Sequence, residues 1–301
     1  MSESSTDRKD RSDQSFMKAV CHGLIAEDLI FPYPAMLAEE SENVSMILES
    51  VRRFLDDKVD PAKIDAEHTI PAEVLEEAKA LGLFGLQVPT EHGGIGLGTT
   101  AYSRVMQEVA AHDSSLAVTL GAHQSIGFKA LLLYGTDAQK QKYLPRLASG
   151  EMVAAFALTE PSAGSDAAAL RTKAVPSEDG SHYLLNGSKL WITNGAFADL
   201  FTVFARTEGE GGGAPKITAF LVERGEGLTT GPNEHKLGIR GSSTCALTFE
   251  EMKIPVENVL GQIGKGHKIA FNILNIGRIK LGIGTIGACK YALSLSSRYA
   301  K

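Results

Sequence analysis

A change of hydrophobic period near Glu151, reversed near Gly266, constrains this 301-residue chain more than any other feature. Before it, apolar residues recur at helical spacing. Val44, Ile47, Leu48, Val51, Phe54 and Leu55 form one helix face, which Pro61 is expected to end. Val74, Leu75, Ala78 and Leu81 mark a shorter helix ahead of Phe84–Pro89, and Tyr102, Val105, Met106 and Val109 mark another after the glycine-rich loop Gly93–Gly98. Asp113 is placed to cap a helix reaching about Tyr134. Thr136 and Gln139 read as a capping box, opening a helix that stops at Gly150 and that Pro145 kinks or ends early. From Glu151 to about Leu260 the pattern becomes short apolar runs: Val153–Leu158, Tyr183–Leu185, Leu190–Thr193, Leu200–Ala205, Ile217–Val222 and Cys245–Phe249. Asp179-Gly180 and Gly209–Pro215 read as loops between them, and no helices alternate with the runs, so an antiparallel sheet is expected. Helical spacing then returns with Ile269, Ile273, Leu274 and Ile276.

The expected fold class is therefore α+β: an N-terminal helical bundle, a central antiparallel β-domain and the start of a C-terminal helical domain. The divisions are a flexible arm over 1–34, a helical domain over 35–150, a β-domain over 151–262 and a first C-terminal helix over 263–301. Within the arm, Met1 to about Ser15 is polar and charged and is expected to be disordered, whereas Phe16–Pro34 is apolar enough to pack on the body. A net charge of −6 argues against a nucleic-acid partner. No unbroken apolar run approaches the roughly 20 residues of a spanning helix, so no transmembrane segment is expected. The N-terminus also lacks the apolar core of a signal peptide, which points to the cytoplasm. Cys21, Cys245 and Cys289 form no CxxC and the histidines show no ligand spacing, so no metal site is expected.

Phe156–Thr193 holds the chemistry. An apolar run ends in Thr159-Glu160-Pro161, followed by the small residues Ser162-Ala163-Gly164-Ser165, whose amides can approach an anion closely. Asn186-Gly187 and Asn194-Gly195 flank a short strand as turn signals. That strand carries Trp191, the single tryptophan, and Thr193 two residues on, which places both side chains on one face. An indole surface beside a hydroxyl suits a flat, heteroatom-rich ring such as a flavin; a buried tryptophan on an ordinary strand is the alternative. Gly282–Gly287 matches GxGxxG and Gly96–Ala101 its GxGxxA form, but neither sits in a βαβ unit, so close helix packing and a loop explain them.

Both segments resemble the flavin-binding signatures of acyl-CoA dehydrogenases, closest to the very-long-chain branch. Phe31-Pro32-Tyr33-Pro34, Phe84–Pro89, Leu120–Gly127 and Val256–Gly261 are similar as well, so the resemblance runs from about Phe31 to Lys301. It implies a truncated acyl-CoA dehydrogenase fold and FAD lined by Phe156, Leu158, Thr159, Gly164, Ser165, Trp191, Ile192 and Thr193. In the family, Trp191 would pack on one face of the isoalloxazine, Thr193 would donate to its reactive nitrogen, and Thr159 would bond its polar edge. Gly164 and Ser165 would lie near the pyrophosphate or the acyl-CoA. The substrate would meet Ser165, Asn275, Ile276, Gly277 and Arg278. Glu160 is not the family's base; an acid beside a proline turn faces solvent or caps a backbone amide.

The chain departs from the family pattern at the base that removes the proton beside the thioester. Most members place that carboxylate near the C-terminus, and others just before the helix arginine, where this chain has Gly277. No catalytic residue is therefore expected within it, and the base is expected beyond Lys301. The implied activity is FAD-dependent α,β-dehydrogenation of a long-chain acyl-CoA, with electrons passed to an electron-transfer flavoprotein and the full chain a homo-oligomer. The rivals are a module that binds flavin or acyl-CoA without turnover, and a non-functional fragment that holds no FAD.

Overall fold

The computed structural model describes residues 15–33, 36, 38–208 and 213–301. The disorder expected before Ser15 falls outside them, as does most of the Gly209–Pro215 loop. Helix α1 (Phe16–Cys21) and a 3-10 turn at Glu27–Leu29 form the described part of the arm. Met17, Leu24, Ile25, Phe31 and Tyr33 stay exposed, whereas Phe16, Leu29 and Ile30 are half-buried.

Helix α2 (Ala38–Lys58) stops before Pro61, which opens α3 (Pro61–Glu67) instead of ending its predecessor. A missing N–H does no harm in a first turn, and the Asp60 carboxylate accepts from the Ala62 and Lys63 amides. Helices α4 (Ala72–Ala80) and α5 (Thr99–His112) complete a core in which Val51, Phe54, Val74, Tyr102 and Val105 are buried together.

The single helix expected from Asp113 to Tyr134 is three pieces: α6 (Ser114–Ala122), a π-helical turn at His123–Gly127 and α7 (Lys129–Tyr134). Bonds to other elements widen it there. Gln124 Nε2 donates to the Leu83 carbonyl at 2.8 Å, Thr202 Oγ1 donates to the Gly127 carbonyl at 2.8 Å, and a Cβ on Gly127 would meet Ala154 at 2.9 Å. Asp113 does cap α6, accepting from the Leu116 amide at 2.6 Å. Asp113→Ala is expected to cost about 1–2 kcal/mol, seen as a lower urea midpoint with an unchanged slope.

The capping box at Thr136 and Gln139 opens α8 (Asp137–Ser149), and Gly150 closes it in the left-handed conformation. Pro145 lies inside α8 without ending it. Burial of Tyr143, Leu144 and Leu147 on one face outweighs the lost backbone bond.

Among the described residues, eight strands form one sheet in the order β6-β7-β3-β2-β4-β5-β8, with β1 added beside β4. They are β1 (Ala154–Ala157), β2 (Lys173–Pro176), β3 (His182–Thr193), β4 (Leu200–Thr207), β5 (Lys216–Glu223), β6 (Leu228–Thr230), β7 (Thr244–Pro255) and β8 (Val259–Leu260). The sheet is antiparallel except that β1 runs parallel to β4 and Lys173 of β2 pairs in parallel with Arg206. The two runs read as separate strands around Asn186-Gly187 are one twelve-residue strand, β3. Asn186-Gly187 is a bulge in it rather than a turn: the β3–β7 register shifts between Leu185 and Gly187, and Asn186 bonds both the amide and the carboxylate of Glu251. Glycine is required at 187 because φ is 146° and a Cβ would lie 2.6 Å from Thr172 Oγ1. Only Asn194-Gly195 turns the chain, with Asn194 left-handed at φ 64°.

Helix α9 (Gly266–Tyr299) packs along α5, and Ile269, Ala270 and Ile273 are buried near its start. Two segments, Ser114–Tyr134 and Gly266–Tyr299, are long and apolar enough to cross a membrane by length and composition alone, although neither is an unbroken apolar run. An unbroken-run criterion misses them because isolated polar residues interrupt both. The first is a core segment, with Leu116, Leu120 and Leu131 buried against other elements.

Candidate functional site

The site grows from the point where β1 runs out. Beyond Ala157, the residues Leu158, Thr159 and Glu160 leave the sheet edge and are tied to β3. The Leu190 amide donates to the Thr159 carbonyl at 2.9 Å, and Lys189 Nζ donates to the Leu158 carbonyl at 3.1 Å. Glu160 is buried rather than solvent-facing. Its carboxylate accepts from Lys189 Nζ at 2.8 Å, from the Arg171 and Thr172 amides and from Thr172 Oγ1, so only the capping half of the sequence expectation holds. Burial opposes the carboxylate's charge, but Lys189, Thr172 and the Arg171 amide together hold it below its ordinary value. Burial pushes the Lys189 ammonium down to about 8 against the pull of Glu160, which leaves a charged pair at neutral pH.

Immediately after Lys189 the strand bends. The β3–β7 register shifts between Lys189 and Ile192, and Trp191 adopts φ 57°, a region that bulky residues rarely occupy. The indole is 61% exposed although the next residue, Ile192, is 2% exposed. Thr193 follows, half-buried.

These residues converge on a cavity of about 330 Å³. One wall is Phe156, Leu158, Thr159, Gly164 and Ser165, and a second is Trp191, Ile192 and Thr193. Phe271, Leu274 and Arg278 of α9 close it, together with Ile126 from the π-helical turn. All eight residues expected at a flavin therefore line one cavity. Of the five expected at substrate, Ser165 and Arg278 line it. Asn275 lies behind Arg278, accepting from Nη1 at 2.6 Å, and Ile276 packs into the core. A Cβ on Gly277 would lie 2.9 Å from Ile126, so any side chain there would have to displace the cavity wall. Among the described residues no Asp or Glu lines the cavity. A larger cavity of about 490 Å³, between Leu221–Gly227 and Glu250–Pro255, includes none of the expected site residues.

The π-helical turn that carries Ile126 is held by a buried imidazole. His123 is 0% exposed, burial pushes its pKa down to about 3, and it is neutral. Nδ1 accepts from the Ala154 amide at 2.9 Å, so Nε2 carries the proton and donates to the Leu147 carbonyl at 3.0 Å. On α9, Lys280 faces away from the cavity. It is buried over the Tyr102 ring, 4.2 Å from the centroid, with its ammonium pushed down to about 7 by burial and donating to the Gln124 carbonyl at 3.3 Å.

Family models of the acyl-CoA dehydrogenase N-terminal domain and middle domain match residues 41–151 and 155–252. The fold also superposes on butyryl-CoA dehydrogenase from Megasphaera elsdenii with a TM-score of 0.81 at 36% identity, covering 89% of this chain and 70% of that one. This chain belongs to the acyl-CoA dehydrogenase family. Another acyl-CoA dehydrogenase, from Bacillus anthracis and solved with FAD, matches with a TM-score of 0.79 at 45% identity, over 86% of this chain and 44% of that one. The human very long-chain specific acyl-CoA dehydrogenase, described as mitochondrial, is 51% identical over 92% of this chain and 43% of its own length. The chain thus spans less than half the length of that curated relative.

Sequence reasoning missed Ile126, Ala167, Phe271 and Leu274 as cavity residues. Phe271 and Leu274 stand seven and four positions before Arg278, so they share its helix face, and that spacing was available. Ile126 had no local signal, because its placement follows from the π-helical turn.

Proposed function

We propose that this chain forms the flavin- and substrate-binding half of an enzyme that performs FAD-dependent α,β-dehydrogenation of a long-chain acyl-CoA. The observation that supports this is the cavity, which brings an exposed indole, two threonine hydroxyls and the small-residue loop to one place. The residues fit a flavin. Trp191 offers a flat apolar face, Thr159 and Thr193 offer hydroxyls, and a Cβ at Gly164 would meet nothing within 4 Å, which leaves backbone open to a phosphate. When bound, FAD supplies the hydride acceptor. Trp191 would stack on its ring, Thr193 and Thr159 would orient the ring by hydrogen bonds, and Ser165 and Arg278 would meet the acyl-CoA. No residue of this chain is assigned proton abstraction, because no described carboxylate lines the cavity. An electron-transfer flavoprotein would take up the electrons. Assembly as a homo-oligomer and a cytoplasmic compartment belong to the same proposal.

Titration with FAD tests this through Trp191, whose emission is the chain's only indole signal. FAD is expected to quench it saturably, and Thr193→Val is expected to weaken binding about tenfold, the size of one lost charge-assisted or buried hydrogen bond. Absence of quenching would defeat the proposal. Flavin that binds but is not bleached by palmitoyl-CoA would favour a binding module, consistent with the lack of a carboxylate in the cavity.

A further inference from the structure

We infer that the buried Lys189–Glu160 pair is a positioning element that sets the two walls of the cavity against each other, so that FAD affinity depends on it. This rests on the flavin reading above. Lys189 is 0% exposed and lines neither of the two cavities described above, yet its ammonium donates to three acceptors: Leu158 O at 3.1 Å, Glu160 Oε1 at 2.8 Å and Phe204 O at 2.7 Å. Those acceptors belong to the loop that follows β1 and to β4. An ammonium has three N–H donors, and here two are used on that loop and one on β4. An apolar pair of similar volume would fill the space without desolvating two charges, but it could not join those segments.

The consequence is felt one residue later. Leu190 bonds Thr159, so Leu158, Thr159 and Glu160 are each held by Lys189 or Leu190. Trp191 follows at once in its left-handed conformation, which persists only where the surroundings over-determine it. The pair supplies that constraint. It connects the wall carrying Thr159 to the wall carrying Trp191 and Thr193, although neither Lys189 nor Glu160 lines that cavity.

The test compares the double variant Glu160→Gln, Lys189→Met, in which both positions are neutral and similar in volume, with Phe249→Leu. Phe249 is buried in the same sheet but does not line the cavity. Each chain is measured well below its own melting temperature, by quenching of Trp191 with FAD and, without FAD, with acrylamide. The double variant is expected to bind FAD at least tenfold more weakly and to change the acrylamide quenching constant. Phe249→Leu is expected to lose melting temperature while keeping both readings. Unchanged FAD affinity and acrylamide quenching in the folded double variant would overturn the inference, as would equal weakening by Phe249→Leu. If the double variant does not fold, Glu160→Gln alone decides by the same readings. If the unaltered chain takes no FAD, the flavin reading fails, while the acrylamide comparison still decides whether the pair sets the Trp191 bend.

Discussion

Shifting the pH from 6.5 to 4.5 is expected to remove about 2 kcal/mol of stability from this chain, through His123 alone. The imidazole has an ordinary pKa of 6.5 and is pushed to about 3 by complete burial. Between those values the unfolded chain binds a proton that the folded chain refuses. The stabilisation is therefore fully present above pH 6.5 and is lost as pH falls toward 3. Protonation would remove the Nδ1 lone pair that accepts from Ala154 and would place a charge between the rings of Phe84 and Phe128, whose centroids lie 5.1 and 4.8 Å away. Glu160 and Glu223, both held below the ordinary carboxylate value, add to the acid loss only near and below pH 4.5. Asp113 works the other way, since burial raises it. Urea titrations at pH 6.5, 5.5 and 4.5 give the slope directly. His123→Gln, which keeps a donor and an acceptor but does not titrate, is expected to be less stable at pH 7 and nearly flat across this window. An equally steep slope in that variant would remove His123 as the cause.

Gly287→Val is expected to lift part of α9 from α5, at a cost of about 3 kcal/mol or more, whereas Gly282→Ala is expected to be neutral or stabilising by about 0.5–1 kcal/mol. The two glycines share one GxGxxG pattern and differ in surroundings. A Cβ at 287 would lie 2.1 Å from the Gln107 carbonyl oxygen, which is α5 backbone and cannot turn aside. A Cβ at 282 would meet nothing within 4 Å, so alanine there only improves helix propensity. The bond from Lys290 to Gln107 Oε1 at 2.8 Å, one turn further on, should be lost with the first substitution and kept with the second. Thermal melts of the two variants test this. Similar melting temperatures would mean that α9 is not seated by Gly287.

The contrast shows what kind of information a local pattern contains. Asp113 and the Thr136–Gln139 box were legible because a cap involves residues two or three apart. The switch in period near Glu151 was legible because it averages over many residues. Trp191 and Thr193 were singled out from the residues because a lone tryptophan and its spacing to a hydroxyl are local, whereas Thr159 was named only through the family resemblance. The bulge at Asn186-Gly187 was read as a turn, since nothing nearby shows that Thr172, just ahead of β2, and Glu251 of β7 come up against it. Glu160 was assigned to solvent or a backbone amide because its charged partner lies twenty-nine positions away. The π-helical turn depends on Leu83, Ala154 and Thr202, which no window around Gln124 contains. Pro61 carried a local signal that was misread: after Asp60 it begins a helix.

The β1 strand enters the sheet while its first amide is already committed to a helix-borne imidazole, and the neighbouring Val153 amide bonds Asp199 at 2.8 Å. Gly127 is bonded in turn by Thr202 of β4. The helical and stranded halves thus share a stitched seam, not a linker. Excising either half would strand hydrogen-bonding groups on both sides of the cut, so recombining this scaffold with a relative should succeed at the exposed β-turns near Asp179 or Gly225 and fail between Ser149 and Val153.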